Sequence, residues 1–324
     1  MRTLRKFLAL VLVAAAAGAT PPLAQAQKWP AKPVHILVPF APGGGSDFIA
    51  RFTAQRLTDA LGTQVLVENR PGAGGLLGIE QGVKAEPDGY TLTLIASSYT
   101  VNAALYPLKY DPIADITPVV QISQGPMIIV ANPKFAAKGV PDLISIAKQK
   151  PGSINFASAG QGSITHMVAE LFQSMAGVKM NHIPYKGTGP ALTDTISGQT
   201  DIFFSSTATA LPHVKSGRLR AIAVTTAKPF RLFPNIPSIA QSGYPGFEVL
   251  AWNGVMVPAA TPKPIVARLN AEINAILADP DIVTRMHRLG FDLIGGTPEQ
   301  FGALVNGESE KWAPVIRKIG LKID

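Results

Sequence analysis

The segment Val34–Arg51, VHILVPFAPGGGSDFIAR, constrains the fold of this chain more than any other stretch. Val34 to Val38 form a short apolar run bounded by Pro33 and Pro39, the pattern of a buried strand. A helix is expected to start at Ser46 or Asp47, where a small polar side chain caps the first free amides. Between strand and helix stand Gly43, Gly44 and Gly45. Lacking side chains, they leave backbone N–H groups bare at the positive end of a helix dipole, which suits a carboxylate or a phosphate. The plainer alternative is that these glycines serve only the packing of a tight turn. Neither common phosphate motif is present: no lysine lies near Gly45, as a P-loop needs, and Phe48 stands where the third glycine of a dinucleotide loop belongs.

Downstream, strands alternate with helices. Ala50, Ala54, Leu57 and Leu61 recur at helical spacing up to Gly62, and Val65–Val67 make the next strand. The glycine-rich turn Asn69–Gly75 leads to a helix through Ile79 and Val83, and Tyr90 to Ala96 makes a third strand ending at Ser97-Ser98. Such alternation implies parallel pairing, with ligands gathering at the carboxyl ends of the strands. That places the Gly43 loop, the Gly72 loop and Ser98 on one rim.

Val119 to Ala131 reads as a long extended run interrupted at Gly125-Pro126, as a connection between two lobes would be. The opening design then recurs: strand Ile154–Ala157, turn Ser158–Ser163, helix Ile164–Met175; later, strand Asp201–Phe204 ends at Ser205-Ser206. Phe247 to Val257 is extended again. Thr297-Pro298-Glu299-Gln300 fits a capping box opening the last helix, and the C-terminal helices are expected to pack back on the first lobe.

Met1 to Ala26 carries Arg2, Arg5 and Lys6, an apolar stretch from Phe7 to Ala19, and Ala24-Gln25-Ala26, the pattern of a cleaved secretory signal. Its removal leaves 298 of the 324 residues and lowers the net charge from +8 to +5. That length favours two lobes over one core. There is no cysteine, which excludes disulfides, thiolate metal sites and a lipidated anchor. Basic residues are not interleaved with aromatics as nucleic-acid binding requires.

Catalytic patterns are weak. The nucleophile elbow Gly-x-Ser-x-Gly is absent, and the five histidines show no metal spacing. Ser163 and His166, three apart, read more simply as a helix cap and its first-turn neighbour than as a catalytic pair. Asp47 reads as a capping residue that pins the glycine loop. Asp201 reads as a loop organiser or a partner for a cationic group on a ligand.

The set Pro39-Phe40-x-x-Gly43-Gly44-x-x-Asp47, Val67–Gly75 and Pro87-Asp88-Gly89-Tyr90-Thr91 resembles the Bug family of extracytoplasmic solute receptors, which serve tripartite tricarboxylate transporters. Pro151-Gly152, Ser158-x-Gly160-x-Gly162-Ser163-x-x-His166, Pro184-Tyr185-Lys186-Gly187 and Asp201 extend the likeness over nearly the whole mature chain. Phe233–Ser238, FPNIPS, departs from the family's usual Leu-Pro-Asp-Val-Pro-Thr. The resemblance implies an α/β, two-lobed periplasmic-binding-protein-like (type II flytrap) fold, each lobe a mostly parallel sheet flanked by helices. Lobe 1 is expected over 27–122 and 251–324 and lobe 2 over 123–250, with hinge strands near 119–131 and 247–257.

The resemblance further implies that the loops Gly43–Asp47 and Ser158–His166 hold a ligand carboxylate from opposite lobes. The ligand-binding residues expected are Phe40, Gly43, Gly44, Ser46, Asp47 and Ser98 in lobe 1, and Ser158, Gly160, Gly162, Ser163, His166, Tyr185, Asp201 and Ser205 in lobe 2. No catalytic residue, metal or cofactor is expected. The expected function is capture of a small carboxylate (a di- or tricarboxylate, an amino acid or an aromatic acid) by a periplasmic monomer that delivers it to a membrane permease. The alternatives are a sensory ligand-binding protein acting on a membrane sensor, and a secreted hydrolase or lyase using Asp47, His166 and Asp201.

Overall fold

The architecture turns on one strand. A computed structural model describes residues 29–320; the signal segment expected at 1–26 lies outside them. Strand β4, Ile116–Ala131, runs for 16 residues and belongs to two sheets in succession. Its first part pairs antiparallel with β9 (Leu250–Pro258), from Ile116↔Pro258 to Pro126↔Leu250. From Met127 onward its partners are β7 (Ile202–Ser206) and β8 (Arg220–Val224), both antiparallel. The expected interruption at Gly125-Pro126 is therefore not a break. Pro126 has no N–H to donate, and it stands where one set of partners ends and the next begins, so its missing donor interrupts neither ladder. Gly125 is held to glycine by packing, since a Cβ there would lie 2.7 Å from the Gly290 carbonyl oxygen.

Lobe 1 is the sheet β2 (Val65–Asn69), β1 (Val34–Val38), β3 (Thr91–Ala96), β9, β4, with β10 (Asp292–Gly295) on the far side of β4. Lobe 2 is β6 (Asn181–Pro184), β5 (Asn155–Ser158), β7 and the rest of β4, with β8. In each lobe the first strand, β1 or β5, lies between two parallel neighbours. This is the strand–helix alternation read from the sequence. The chain returns to lobe 1 beside Pro126: Val249 N–H donates to Thr225 O in lobe 2, and Leu250 already pairs in lobe 1.

Helices α1 (Gly45–Leu61), α2 (Leu76–Val83) and α3 (Ser98–Leu105) follow the lobe 1 strands. In lobe 2, α4 (Val140–Gln149), α5 (Ile164–Ala176), α6 (Thr188–Ser197) and α7 (Thr207–Lys215) do the same, and α8 (Lys263–Leu277), α9 (Pro280–Leu289) and α10 (Pro298–Ile319) close the chain. Helices α3 and α7 and strand β10 have no counterpart in the sequence reading. Helix α10 opens with the expected capping box, Thr297 and Gln300 capping each other. It does not pack on lobe 1 alone. Phe301 and Val305 enter a core with Tyr99 and Trp252, whereas Trp312 and Ile316 enter the lobe 2 core beside Phe156 and Phe172. One amphipathic helix thus buries its face against both lobes.

Candidate functional site

The glycine loop after β1 is pinned from within. Asp47 Oδ2 accepts the Gly43 N–H (3.0 Å) and Arg51 Nε (3.1 Å), and Oδ1 accepts Asn69 Nδ2 (2.9 Å) and lies 3.1 Å from Arg51 Nη2. Burial alone would raise the pKa of this carboxyl; the hydrogen bonds from Arg51, Gly43 and Asn69 outweigh burial and hold it below the usual carboxylate range. Helix α1 begins at Gly45, with Gly44 as an N-cap that has no side-chain cap bond. The expected capping by Ser46 or Asp47 does not occur: Asp47 reaches back to Gly43, and Ser46 Oγ donates to Asn253 Oδ1 at 2.7 Å. The first amides of α1 therefore stay uncovered.

Four more helices bring their amino ends to the same place. Residues from the starts of α1 (Gly44, Gly45, Ser46, Asp47), α3 (Ser97, Ser98), α5 (Ser163, Ile164, Thr165), α6 (Thr188) and α7 (Ser206, Thr207, Ala208) line one cleft between the lobes. The backbone N–H groups of Gly45, Ser46, Thr165, Thr207 and Ala208 meet no acceptor among the described residues. Phe40, Met127, Trp252 and Phe291 supply apolar wall, and Thr188 closes the lobe 2 side. No lysine, arginine or histidine is in this lining, and its one acid is Asp47. Five helix dipoles and bare amides make the cleft positive without a cationic side chain. It can hold an anion by neutral donors.

The lobes meet across this cleft. Ile164 N–H donates to Ser98 Oγ at 3.0 Å, Ala41 N–H to Lys186 O at 3.0 Å, and Tyr106 Oη to Gln161 O at 3.2 Å. Gly74 touches lobe 2 so closely that a Cβ would lie 2.2 Å from Gln161 O.

Of the residues expected to bind ligand, Phe40, Gly44, Ser46, Asp47, Ser98 and Ser163 line the cleft. The others do not. Gly43 has φ +87 and gives its N–H to Asp47. Ser158, Gly160, Gly162 and His166 form the support beneath the second loop: Gly160 N–H donates to Ser158 Oγ, and Gly162 N–H donates to His166 Nδ1 at 3.2 Å. That bond leaves the proton of a neutral His166 on Nε2, which faces Glu170 at 3.5 Å. The buried His166 ring stacks on His182 at 3.9 Å, and His182 Nε2 meets Ser158 Oγ at 2.6 Å. Burial, then the nearby His166, pushes the pKa of His182 down to about 3.

Tyr185 turns away and donates to Asp194 at 2.7 Å; burial and that carboxylate push its pKa up to about 12. Asp201 accepts the Asn155 N–H at 2.7 Å at the amino-terminal ends of β5 and β7, away from the residues that line the cleft, so it organises the sheet. Ser205 is fully buried on the other face of β7, and its neighbour Ser206 lines the cleft instead. Sequence reasoning missed Ser206, Thr207, Trp252, Asn253 and Phe291. For Ser206 a signal existed: it lies three residues before Thr209, whose N–H it caps.

This fold and this cleft define a two-lobed periplasmic solute-binding protein. The family described as "Tripartite tricarboxylate transporter family receptor" matches residues 49–321. The chain is similar to Protein BugT of Bordetella pertussis, 38% identical over 312 residues and 95% of each chain. The solved structure of the periplasmic binding protein BugD is similar at TM-score 0.87 and 35% identity, covering 91% of this chain and 99% of that one. MatC from Rhodopseudomonas palustris, solved with bound malate, is similar at TM-score 0.86 and 32% identity over 89% of this chain and all of that one. The chain belongs to the tripartite tricarboxylate transporter receptor family and is related to the Bug proteins.

Proposed function

We propose that this protein captures a small carboxylate between its lobes and delivers it, as an exported monomer, to the membrane permease of a tripartite tricarboxylate transporter. The observation that carries this reading is the set of acceptor-free amides from both lobes lining one cleft that has no cationic side chain. The malate in MatC supports a carboxylate as the guest. Among the described residues no helix is long and apolar enough to cross a membrane; the leader pattern at Met1–Ala26 supports export.

The lobes move relative to one another where β4 changes partners and where the chain crosses between Val249 and Leu250. A hydrolase or lyase is disfavoured, because its three candidate groups do not converge. Asp47 is committed to Arg51, Asn69 and Gly43, His166 lies beneath its loop, and Asp201 is at the far end of the sheet.

The test is a thermal-shift screen of protein freed of copurifying ligand, joined to mass spectrometry of what copurifies. A bound acid at a hundred times its Kd stabilises the folded state by about 2.7 kcal/mol. No shift with any carboxylate, and no acid released on denaturation, would contradict the reading.

A further inference from the structure

We infer that this protein presents its closed form to the permease through a basic and aromatic surface beside the mouth of the cleft, and that this surface takes an acidic segment of the permease's periplasmic face. This rests on the receptor reading above and deepens it by giving the docking surface and the chemistry of its partner.

Helix α1 has two faces. Ile49, Ala50, Ala54 and Leu57 turn inward and are buried. Phe48, Arg51, Phe52, Gln55 and Arg56 recur at the i, i+3, i+4, i+7, i+8 spacing that sets side chains along one stripe of a helix, and they line a surface groove with Arg285 of α9. A face built only to meet water is polar throughout. This one carries two phenylalanines, of which Phe48 is 40% exposed and stacks on Phe291 at 5.5 Å. Its charge is one-sided as well. Arg51 is matched by Asp47, the only acid in the groove. The guanidinium groups of Arg56 and Arg285, both exposed, have no hydrogen bond or ion pair among the described residues. Exposed phenylalanine and arginine are the residues that protein interfaces favour, and two unmatched guanidiniums select a partner that brings carboxylates.

The surface continues across the lobe boundary. Phe48 and Leu289 from lobe 1 line an adjoining hollow with Leu192 and Pro212 from lobe 2. Gly44, Gly45, Ala208 and Phe291 line both this hollow and the ligand cleft. Because its walls come from different lobes, the hollow takes this shape only when the lobes are together. A partner seated there reads closure and lies at the edge of the cleft that holds the acid. A permease has that need, since it must tell the loaded receptor from the empty one, and the acid shifts the receptor toward the form that docks. An anionic membrane would meet Arg56 and Arg285 equally with the lobes open, because both stand on lobe 1.

The experiment uses phosphatidylcholine nanodiscs carrying the tripartite tricarboxylate transporter permease with which this protein drives uptake of its copurified acid. Binding of the acid-loaded and the acid-free protein is measured by biolayer interferometry. The loaded protein is expected to bind at least about tenfold more tightly, and its binding is expected to weaken as salt rises from about 0.1 to about 0.5 M. Arg56→Glu with Arg285→Glu should bind the permease at least about tenfold more weakly at unchanged affinity for the acid, whereas Arg56→Lys with Arg285→Lys, which keeps both charges, should lose less. Phe48→Ala should weaken permease binding at least about fivefold. Permease binding unchanged by the charge reversal overturns the inference and leaves the receptor reading standing. Equal binding of the acid-free protein overturns the part given to closure. Binding to empty phosphatidylglycerol nanodiscs as tight as to the permease makes the patch a membrane contact and overturns the inference. If no such permease takes up the acid with this protein, the receptor reading fails, and the inference with it.

Discussion

Ser98 Oγ, at the start of α3 in lobe 1, accepts the backbone N–H of Ile164, the first residue of α5 in lobe 2, at 3.0 Å. The bond joins two helix amino ends that both line the cleft, so it can form only when the lobes meet. Ser98→Ala leaves a buried amide without its acceptor in the closed form. Ligand affinity should fall about tenfold, the effect of about 1.4 kcal/mol lost from closure. Titration of the bound acid against Ser98→Ala measures this, and unchanged affinity would mean that the bond contributes nothing to closure.

Gly44 and Gly74 sit at close approaches of the two lobes. A Cβ on Gly44 would lie 3.1 Å from Thr188 Cβ, and one on Gly74 would lie 2.2 Å from Gln161 O. The φ of Gly44 is −92, so Gly44→Val brings little backbone strain. It should fold with an unchanged Tm in the absence of ligand, yet lose binding, because it covers amides and props the lobes apart. Small-angle scattering of this variant with ligand should show no compaction.

Acid should weaken this protein over a window set by His182. Its pKa is pushed down to about 3 in the folded state by burial and by His166, from about 6.5 in an unfolded chain. The unfolded state then takes up a proton that the folded state refuses, so this contribution is complete above about pH 6.5 and declines as pH falls towards 3. Urea unfolding from pH 7.5 to 4 should show stability dropping with pH, and His182→Gln should flatten that slope. Asp47 acts in the same direction lower down. Its folded pKa lies below the ordinary value, so its stabilisation holds above the unfolded pKa of about 3.9 and is lost as pH falls through the folded value.

Trp312 is 1% exposed and stands in the lobe 2 core, although its helix begins in the lobe 1 core. Trp312→Ala should destabilise the fold by about 3–5 kcal/mol. Differential scanning calorimetry should further show a broader or split transition than in the unaltered protein, because the helix anchoring both cores loses one end.

How far the chain announces itself depends on the range of the signal. The β1–glycine–α1 unit is legible because three bare glycines, an apolar run and Asp47 lie within a few residues, and uncovered amides at a helix start follow from them directly. The sequence places the start of α1 a residue or two late, because Asp47 looks like a cap and instead binds backward to Gly43. Helices α3 and α7 carry no clear sequence signal, since SYTVNAAL and TATALPHVK are short and lack apolar periodicity, and the second contains Pro212.

The choice of Ser205 over Ser206 is a parity error: in a period-two strand the neighbouring serine points to the opposite face. Trp252 and Phe291 reach the cleft only through the long return of β9 and the loop before β10, and no local motif marks them. The spacing of the loop points to His166 as a ligand contact, whereas its stacking on His182 is a tertiary fact that the sequence does not carry.

The central claim is that bare amides at helix starts in both lobes hold one carboxylate without a cationic side chain. A crystal structure of the protein with its copurified acid tests it most directly. A carboxylate oxygen should lie about 3 Å from an amide at the start of α1 and from one at the start of α5. An acid bound outside this cleft, or one held by a lysine or arginine side chain, would contradict it.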